Sequence, residues 1–105
     1  MISTEGSAIN RPPFFDGKNY TFWKCRMKIF LKSLDPKCWL VVEKGFAEPT
    51  ITPWSSLDKD LIHANATALN AINCGVSPEE FKSIMTCETA KATWEVLELS
   101  HEGTS

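Results

Sequence analysis

Apolar residues recur most regularly between Asn19 and Leu34. Their steps of three and four residues are the spacing of one helix face, and the set consists of Tyr20, Trp23, Met27, Phe30, Leu31 and Leu34. A second apolar set falls on the opposite side of this helix, namely Phe22, Cys25 and Ile29. One flank between the two sets carries Lys24, Lys28 and Lys32. A helix that is apolar on two faces needs two partners.

Start and stop signals predict a short second helix. Asp35 is a helix-capping residue type, Pro36 suits the first helical position, and Gly45 is a typical stop. Trp39 lies on the predicted apolar face of this helix. The stretch from Phe46 to Ser56 is expected to be a loop, because prolines interrupt it twice.

A third helix is predicted to begin after Ser55 or Ser56 and to run to about Asn73. Its apolar stripe is rich in small residues that allow a neighbouring helix to approach closely, and it consists of Leu57, Leu61, Ala64, Ala68 and Ile72. A buried central position would suit this helix.

Two more helices complete the pattern. The tetrapeptide Ser77-Pro78-Glu79-Glu80 is a capping-box signature and places Phe81 on a short fourth helix. A fifth helix is predicted from Thr86 or Cys87, where the three-and-four spacing continues through Cys87, Ala90, Trp94 and Leu97.

The fold class that these elements predict is all-α: a compact bundle of about five helices with an extended N-terminal arm. The arm runs from Arg11 to Gly17 and is expected to lay Phe14 or Phe15 against the first helix. Residues 1–11 are predicted to be a disordered tail, and residues 12–105 one helical domain. The predicted core is formed by Tyr20, Trp23, Met27, Leu31, Trp39, Leu61, Phe81, Trp94 and Leu97.

Composition narrows the functional classes. The chain has no apolar run long enough to span a bilayer and no basic-then-apolar start, so an intracellular protein without membrane association is expected. The four cysteines are far apart and lack histidines at ligand spacing, so they are interpreted as reduced thiols and not as metal ligands. No metal and no cofactor are predicted.

Catalytic motifs are also missing from the sequence, which has no phosphate loop, nucleophile elbow or His-Glu-x-x-His pattern. The chain has two histidines, His63 and His101, and neither belongs to a recognisable constellation. The prediction is that the protein is not an enzyme.

Charge is distributed unevenly along the chain. Residues 18–44 carry seven basic and two acidic side chains, whereas residues 45–105 carry three basic and nine acidic ones. Such asymmetry can direct a basic surface toward RNA or toward the acidic surface of another copy of the protein. Solvated helix faces are the simpler explanation, and the sequence pI near 5.6 argues against broad RNA binding.

Two segments resemble a known family. The order Pro13-Phe14-Phe15-Asp16-Gly17-Lys18-Asn19-Tyr20-Thr21-Phe22-Trp23, followed by Met27, Leu31, Trp39 and Gly45, resembles the opening of the Gag polypeptide of copia-type LTR retrotransposons of plants. The segment Thr89-Ala90-Lys91-Ala92-Thr93-Trp94-Glu95-Val96-Leu97, followed by Glu102-Gly103-Thr104, is similar to the next part of that polypeptide.

The resemblance implies a fold like the N-terminal domain of a retroviral capsid. Copies of such a protein assemble into virus-like particles in the cytoplasm, with the nucleus as an alternative location. RNA association in this family belongs to a downstream region with a second helical domain and a zinc knuckle, so the chain is interpreted as the N-terminal lobe. A domesticated relative that binds a host protein or peptide is the alternative, and weak RNA binding is a further one.

The two-faced first helix leads to a hypothesis about self-association. Its second apolar face and the lysines beside it would meet an acidic helix of a neighbouring copy, such as the one from Glu88 to Glu98. The first surface consists of Phe22, Lys24, Lys28, Ile29 and Lys32, and the second of Glu88, Glu95 and Glu98. The alternative is that the arm from Pro12 to Phe15 covers the second apolar face within one molecule.

Overall fold

Five helices form the computed structural model, which describes residues 11–103. Their bounds are Tyr20–Leu34 (α1), Pro36–Lys44 (α2), Ser56–Cys74 (α3), Pro78–Ile84 (α4) and Ala90–His101 (α5). The described part of the chain has no β-strand, and its single β-bridge joins Phe15 to Val76. The all-α prediction is therefore confirmed. Apart from Arg11, the predicted tail lies outside the described residues.

Side-chain caps explain where most helices begin. Asp35 accepts a hydrogen bond from the Lys37 backbone at the start of α2. Ser55 and Asp58 form a complete capping box at the start of α3. Such caps satisfy backbone N–H groups that have no partner inside the helix, so these local residues determine the boundaries.

Helix α5 begins later than the sequence suggested. It starts at Ala90, with Thr89 as its cap, and not at Thr86 or Cys87. The reason is the buried Asn65 of α3, whose side chain accepts a hydrogen bond from the Ala90 backbone at 3.0 Å and donates to the Glu88 carbonyl at 3.4 Å. These contacts hold the residues before Ala90 outside the helix.

The capping box expected at α4 is only half formed. The Ser77 hydroxyl accepts from the Glu80 backbone, as predicted. The Ser77 backbone N–H, however, donates to the carbonyl of Phe15 at 2.9 Å, so it does not need the Glu80 carboxylate. That carboxylate turns instead to His101 of α5.

The core lies where α2 packs against α1, α3 and α5, and α4 packs against α5. Of the residues predicted to be core, six are buried, namely Tyr20, Trp23, Met27, Leu31, Trp94 and Leu97. The other three are partly buried and pack against that cluster, namely Trp39, Leu61 and Phe81. Trp94 connects the helices, because its ring contacts Trp23 of α1 and Trp39 of α2 with centroids 5.9 and 5.2 Å away.

The N-terminal arm is attached through Phe15 and Pro13. Phe15 is buried and its backbone pairs with Gly75 and Ser77, while Phe14 points to solvent. The Pro13 carbonyl accepts a hydrogen bond from the Trp23 indole. A Cβ on Gly75 would come within 2.8 Å of the Pro13 oxygen, so glycine is what lets the arm pass this close.

Candidate interaction surface

The outer face of α1 carries large apolar side chains that nothing in the described part of the chain covers. Phe22 is 68% exposed and Ile29 67% exposed, and Cys25 between them is also exposed. They face outward because the opposite side of α1 packs into the core. We call Phe22, Cys25 and Ile29 the α1 stripe. The inner face of α1 thus has the core as its partner. No part of residues 11–103 packs on the outer face.

The arm lies beside the α1 stripe and does not cover it, so the proposed shielding of Phe22 by the arm is wrong. Hydrogen bonds tie Pro13 to Trp23 and the Phe15 backbone to Gly75 and Ser77, all on the core side of the arm. The arm therefore forms one wall of a groove, and α1 forms the other. We call this space of about 530 Å³ the arm groove; it is lined by Arg11, Pro12, Pro13, Phe14, Arg26, Ile29, Phe30 and Ser33.

The arm groove is apolar with cationic side chains. Its two ionisable lining residues are Arg11 and Arg26, and none of the described residues that line it is acidic. The Arg26 guanidinium lies 6.0 Å from the centre of the Phe22 ring, where a cation is attracted to the aromatic face. Phe14 adds an aromatic side chain that is 64% exposed. An anionic group with apolar neighbours would therefore suit this groove.

The backbone of the arm limits how a partner could bind. Pro12 and Pro13 have no N–H to donate, and the Pro13 carbonyl is occupied by Trp23. An added β-strand needs free backbone donors and acceptors along the edge that it joins. Pro12 and Pro13 therefore cannot pair with an added strand in the usual way, and recognition along this part of the wall depends mainly on side chains.

Lys24 does not have the role that the sequence suggested. Its Nζ lies 2.7 Å from Glu98 Oε2 and 3.1 Å from Glu102 Oε1 of the same molecule. The hydrogen bond to Glu98 is the main cause that raises the pKa of Lys24. Trp23 and Trp94 stack with ring centroids 5.9 Å apart, and this side-chain contact places Lys24 of α1 within reach of the acidic edge of α5. The expected contact between Lys24 and Glu98 of a neighbour is thus replaced by a contact within the chain.

The other two lysines of the flank remain at the surface. Lys28 lies with its Nζ 5.1 Å from the centre of the Trp39 ring, and both Lys28 and Lys32 are exposed. They border the α1 stripe on the side away from Arg26. The stripe therefore has cations on both sides.

The predicted acidic residues occupy two places. Glu88 is exposed in the turn before α5, and Glu95 is exposed on α5, where it pairs with Lys91 at 3.5 Å. Leu99 lies one helical turn beyond Glu95 and is 59% exposed. Glu102, the residue that caps the C-terminal end of α5, follows on the same side. We call Glu95, Leu99 and Glu102 the acidic ridge.

A polar contact that the sequence analysis missed joins α4 to α5. His101 Nε2 lies 2.7 Å from Glu80 Oε1, and each side chain is only 18% exposed. The imidazole also stacks on Tyr20 and meets the Phe15 ring edge-on at 4.7 Å. The signal for it was the spacing, since position 101 continues the steps of three and four from Trp94 and Leu97.

Residues 11–103 contain no group of three or more histidine, cysteine or acidic side chains placed to hold a metal ion. In this same range no helix has both the length and the apolar character needed to cross a membrane. Burial is the main cause that raises the pKa of the Cys38 thiol, and the negative charge of the nearby Asp35 raises it further. The raised pKa disfavours the reactive thiolate form.

The fold and this surface define the class of the protein as an all-α domain with an exposed apolar stripe beside a cationic groove. No family model, curated protein or solved structure matches the chain. The copia-type Gag interpretation therefore stays a prediction that rests on the sequence resemblance.

Proposed function

We propose that the chain is a structural, capsid-like domain of a copia-type Gag polypeptide and that it associates with other copies of itself through the α1 stripe. The observation that carries this proposal is the exposure of Phe22 and Ile29 on one face of a helix whose other face is buried. Several apolar side chains along one exposed helix face are typical of contacts between proteins. In this role the domain performs no catalysis.

The chemistry of the stripe favours a protein partner over RNA. Its centre is apolar, and its cations lie only along the two sides. The chain as a whole has a net charge of −2, whereas RNA binding in the absence of base recognition depends on a broad positive surface. In the proposed role, RNA is bound by a downstream part of the Gag polypeptide and the protein acts in virus-like particles in the cytoplasm.

An interaction module for a host protein is the second candidate, and the arm groove is the observation that favours it. A groove of about 530 Å³ is large enough to receive side chains of a peptide. The two candidates differ in one measurable property, because only the first requires the purified chain to associate with itself.

The test is sedimentation velocity on the 105-residue chain over a concentration series at low and high salt. We expect oligomers that grow with concentration and decrease with salt, since the cations beside the stripe act partly at long range. Ile29→Asp should weaken association at least about tenfold, because burying an isoleucine contributes about 1.5–3 kcal/mol.

Leu57→Asp is the matched control. Leu57 is also an exposed helical apolar residue, but it lies on α3, away from the stripe. The control should associate like the wild-type chain. A wild-type chain that stays monomeric at every concentration would contradict self-association and favour the host-protein candidate.

A further inference from the structure

The acidic ridge of α5 has the chemistry that the arm groove lacks. Glu95 and Glu102 are seven residues apart, so they lie about 10 Å apart along the helix, and Leu99 lies between them on the same side. The ridge therefore presents an exposed apolar side chain between two carboxylates. The groove presents apolar side chains beside two guanidinium groups, those of Arg11 and Arg26.

We infer that the arm groove of one copy receives the acidic ridge of a second copy, in a head-to-tail contact. Leu99 packs against Phe14 and Ile29. The carboxylates of Glu95 and Glu102 pair with the guanidinium groups of Arg11 and Arg26, which bind carboxylates well because they are planar and offer several donors. This inference rests on the proposed self-association and adds which two surfaces meet.

Charge explains why the contact is between unlike surfaces. None of the described lining residues of the arm groove is acidic. If two copies of the groove faced each other, Arg11 and Arg26 of one copy would therefore meet the guanidinium groups of the other. Two facing ridges would bring carboxylates together in the same way. Like charges at close range across an interface are strongly unfavourable, so groove against ridge is the pairing in which both sets of charges are matched.

The contacts within one molecule leave Leu99 and Glu95 available. Lys24 already contacts both oxygens of Glu102, at 3.1 and 3.2 Å, but a carboxylate has about four acceptor sites and can accept further hydrogen bonds. Lys24 holds Glu98 and Glu102 from the α1 side of α5, which fixes the position of this edge of the helix. Among residues 11–103, Glu95 forms an ion pair with Lys91 alone, four residues earlier on the same helix. An exposed pair of this kind contributes little, so Glu95 can exchange its partner for an arginine of a second copy.

The experiment uses two variants that each damage one surface. Ile29→Asp places a carboxylate in the groove, and Leu99→Asp removes the apolar centre of the ridge. Both residues are exposed, so both variants should fold, and circular dichroism with thermal melting checks this. Each variant alone should be monomeric at a concentration at which the wild-type chain associates.

The deciding sample is an equimolar mixture of the two variants. In a head-to-tail contact, Leu99→Asp still has an intact groove and Ile29→Asp still has an intact ridge, so one productive contact remains. We expect a species with the mass of one copy of each, and no larger species, in sedimentation velocity. Leu57→Asp keeps both surfaces intact, so it should associate with itself like the wild-type chain and should also bind either variant when mixed with it.

Other outcomes would overturn the inference. If Leu99→Asp associated like the wild type while Ile29→Asp did not, the stripe would pair with itself, which keeps the proposed function but rejects the ridge. A mixture that stayed monomeric would also reject it. A monomeric wild-type chain would remove the proposed function as well, so the two failures are distinct.

If either aspartate variant failed to fold, Arg26→Ala and Glu95→Gln would take their places. Both side chains are at the surface, and both changes remove a charge without burying one. Each should weaken association of the folded chain several-fold, by an amount that decreases as salt increases. Equal association of both variants and the wild type at low salt would reject the pairing.

Discussion

The indole nitrogen of Trp23 donates a hydrogen bond of 2.9 Å to the carbonyl oxygen of Pro13. A buried side chain of α1 thereby holds the arm that forms one wall of the groove. Phe15, two residues after Pro13 in the arm, packs its ring against that of Trp23, with ring centroids 5.1 Å apart. The position of the groove thus depends on the core and not on the arm alone.

Trp23→Ala should lower the free energy of unfolding by about 3–5 kcal/mol, because it removes a large buried ring and leaves a cavity. Trp23→Phe should cost less, about 1–3 kcal/mol, since it keeps most of the ring but leaves the Pro13 carbonyl without its donor. Urea denaturation with both variants measures these values. A loss below about 1 kcal/mol for Trp23→Ala would contradict the core position of this residue.

The contact between Glu80 and His101 should contribute measurably to stability. Both side chains are largely shielded from water, and a hydrogen bond to a charged group contributes about 1.5–3 kcal/mol. A double-mutant cycle with Glu80→Ala and His101→Ala should therefore give a coupling free energy of about 1–2 kcal/mol.

Glu79→Ala is the control for this cycle. Glu79 neighbours Glu80 in the first turn of α4, but its side chain is 82% exposed, and its Oε1 lies 3.7 Å from Lys82 Nζ. A pair this exposed contributes between about 0 and 1 kcal/mol, and Glu79 should show no coupling to His101. Equal coupling of Glu79 and Glu80 to His101 would mean that the contact acts only through long-range charge.

Tyr20 should make the fold sensitive to alkaline pH. Burial raises the pKa of Tyr20, and the carboxylates of Glu98 and Glu102 raise it further. The unfolded chain therefore releases the phenol proton at a lower pH than the native chain does. The stability from this difference is fully present below about pH 10, the ordinary tyrosine value, and is lost as pH rises above it. The raised pKa of Lys24 acts in the same direction.

Tyr20→Phe separates the contribution of Tyr20 to the pH dependence from that of Lys24. At neutral pH it should change the free energy of unfolding by less than about 1 kcal/mol, because the buried hydroxyl has no hydrogen-bond partner among residues 11–103. Above pH 10 its stability should fall less steeply than that of the wild type, by up to about 1.4 kcal/mol per pH unit. Tyr20 is the only tyrosine, so tyrosinate absorbance reports its titration directly. An ordinary titration near pH 10 in the folded chain would contradict its burial.

Local sequence was sufficient to predict most of the helices. Asp35 with Pro36 set the start of α2, and Ser77 with Pro78 set the start of α4. A cap joins residues two or three positions apart, so its partners are visible in the sequence itself. The steps of three and four likewise separate the buried face of α1 from its exposed one, because a helix turns by a constant angle per residue.

Contacts between segments far apart in the sequence decided where α5 begins and which partners several polar side chains have. The hydrogen bond from Ala90 to Asn65 makes α5 begin later than predicted. The Ser77 N–H donates to Phe15, which leaves the Glu80 carboxylate able to contact His101. Lys24 forms its ion pairs with acidic residues of the same chain. The residue types were visible in the sequence, but their partners were not. Periodicity specifies the direction in which a side chain points from its helix, whereas the packing of one helix on another decides which groups that side chain meets. For the same reason the sequence alone determined that α1 has two apolar faces, and only the tertiary structure decided that the arm leaves the outer one exposed.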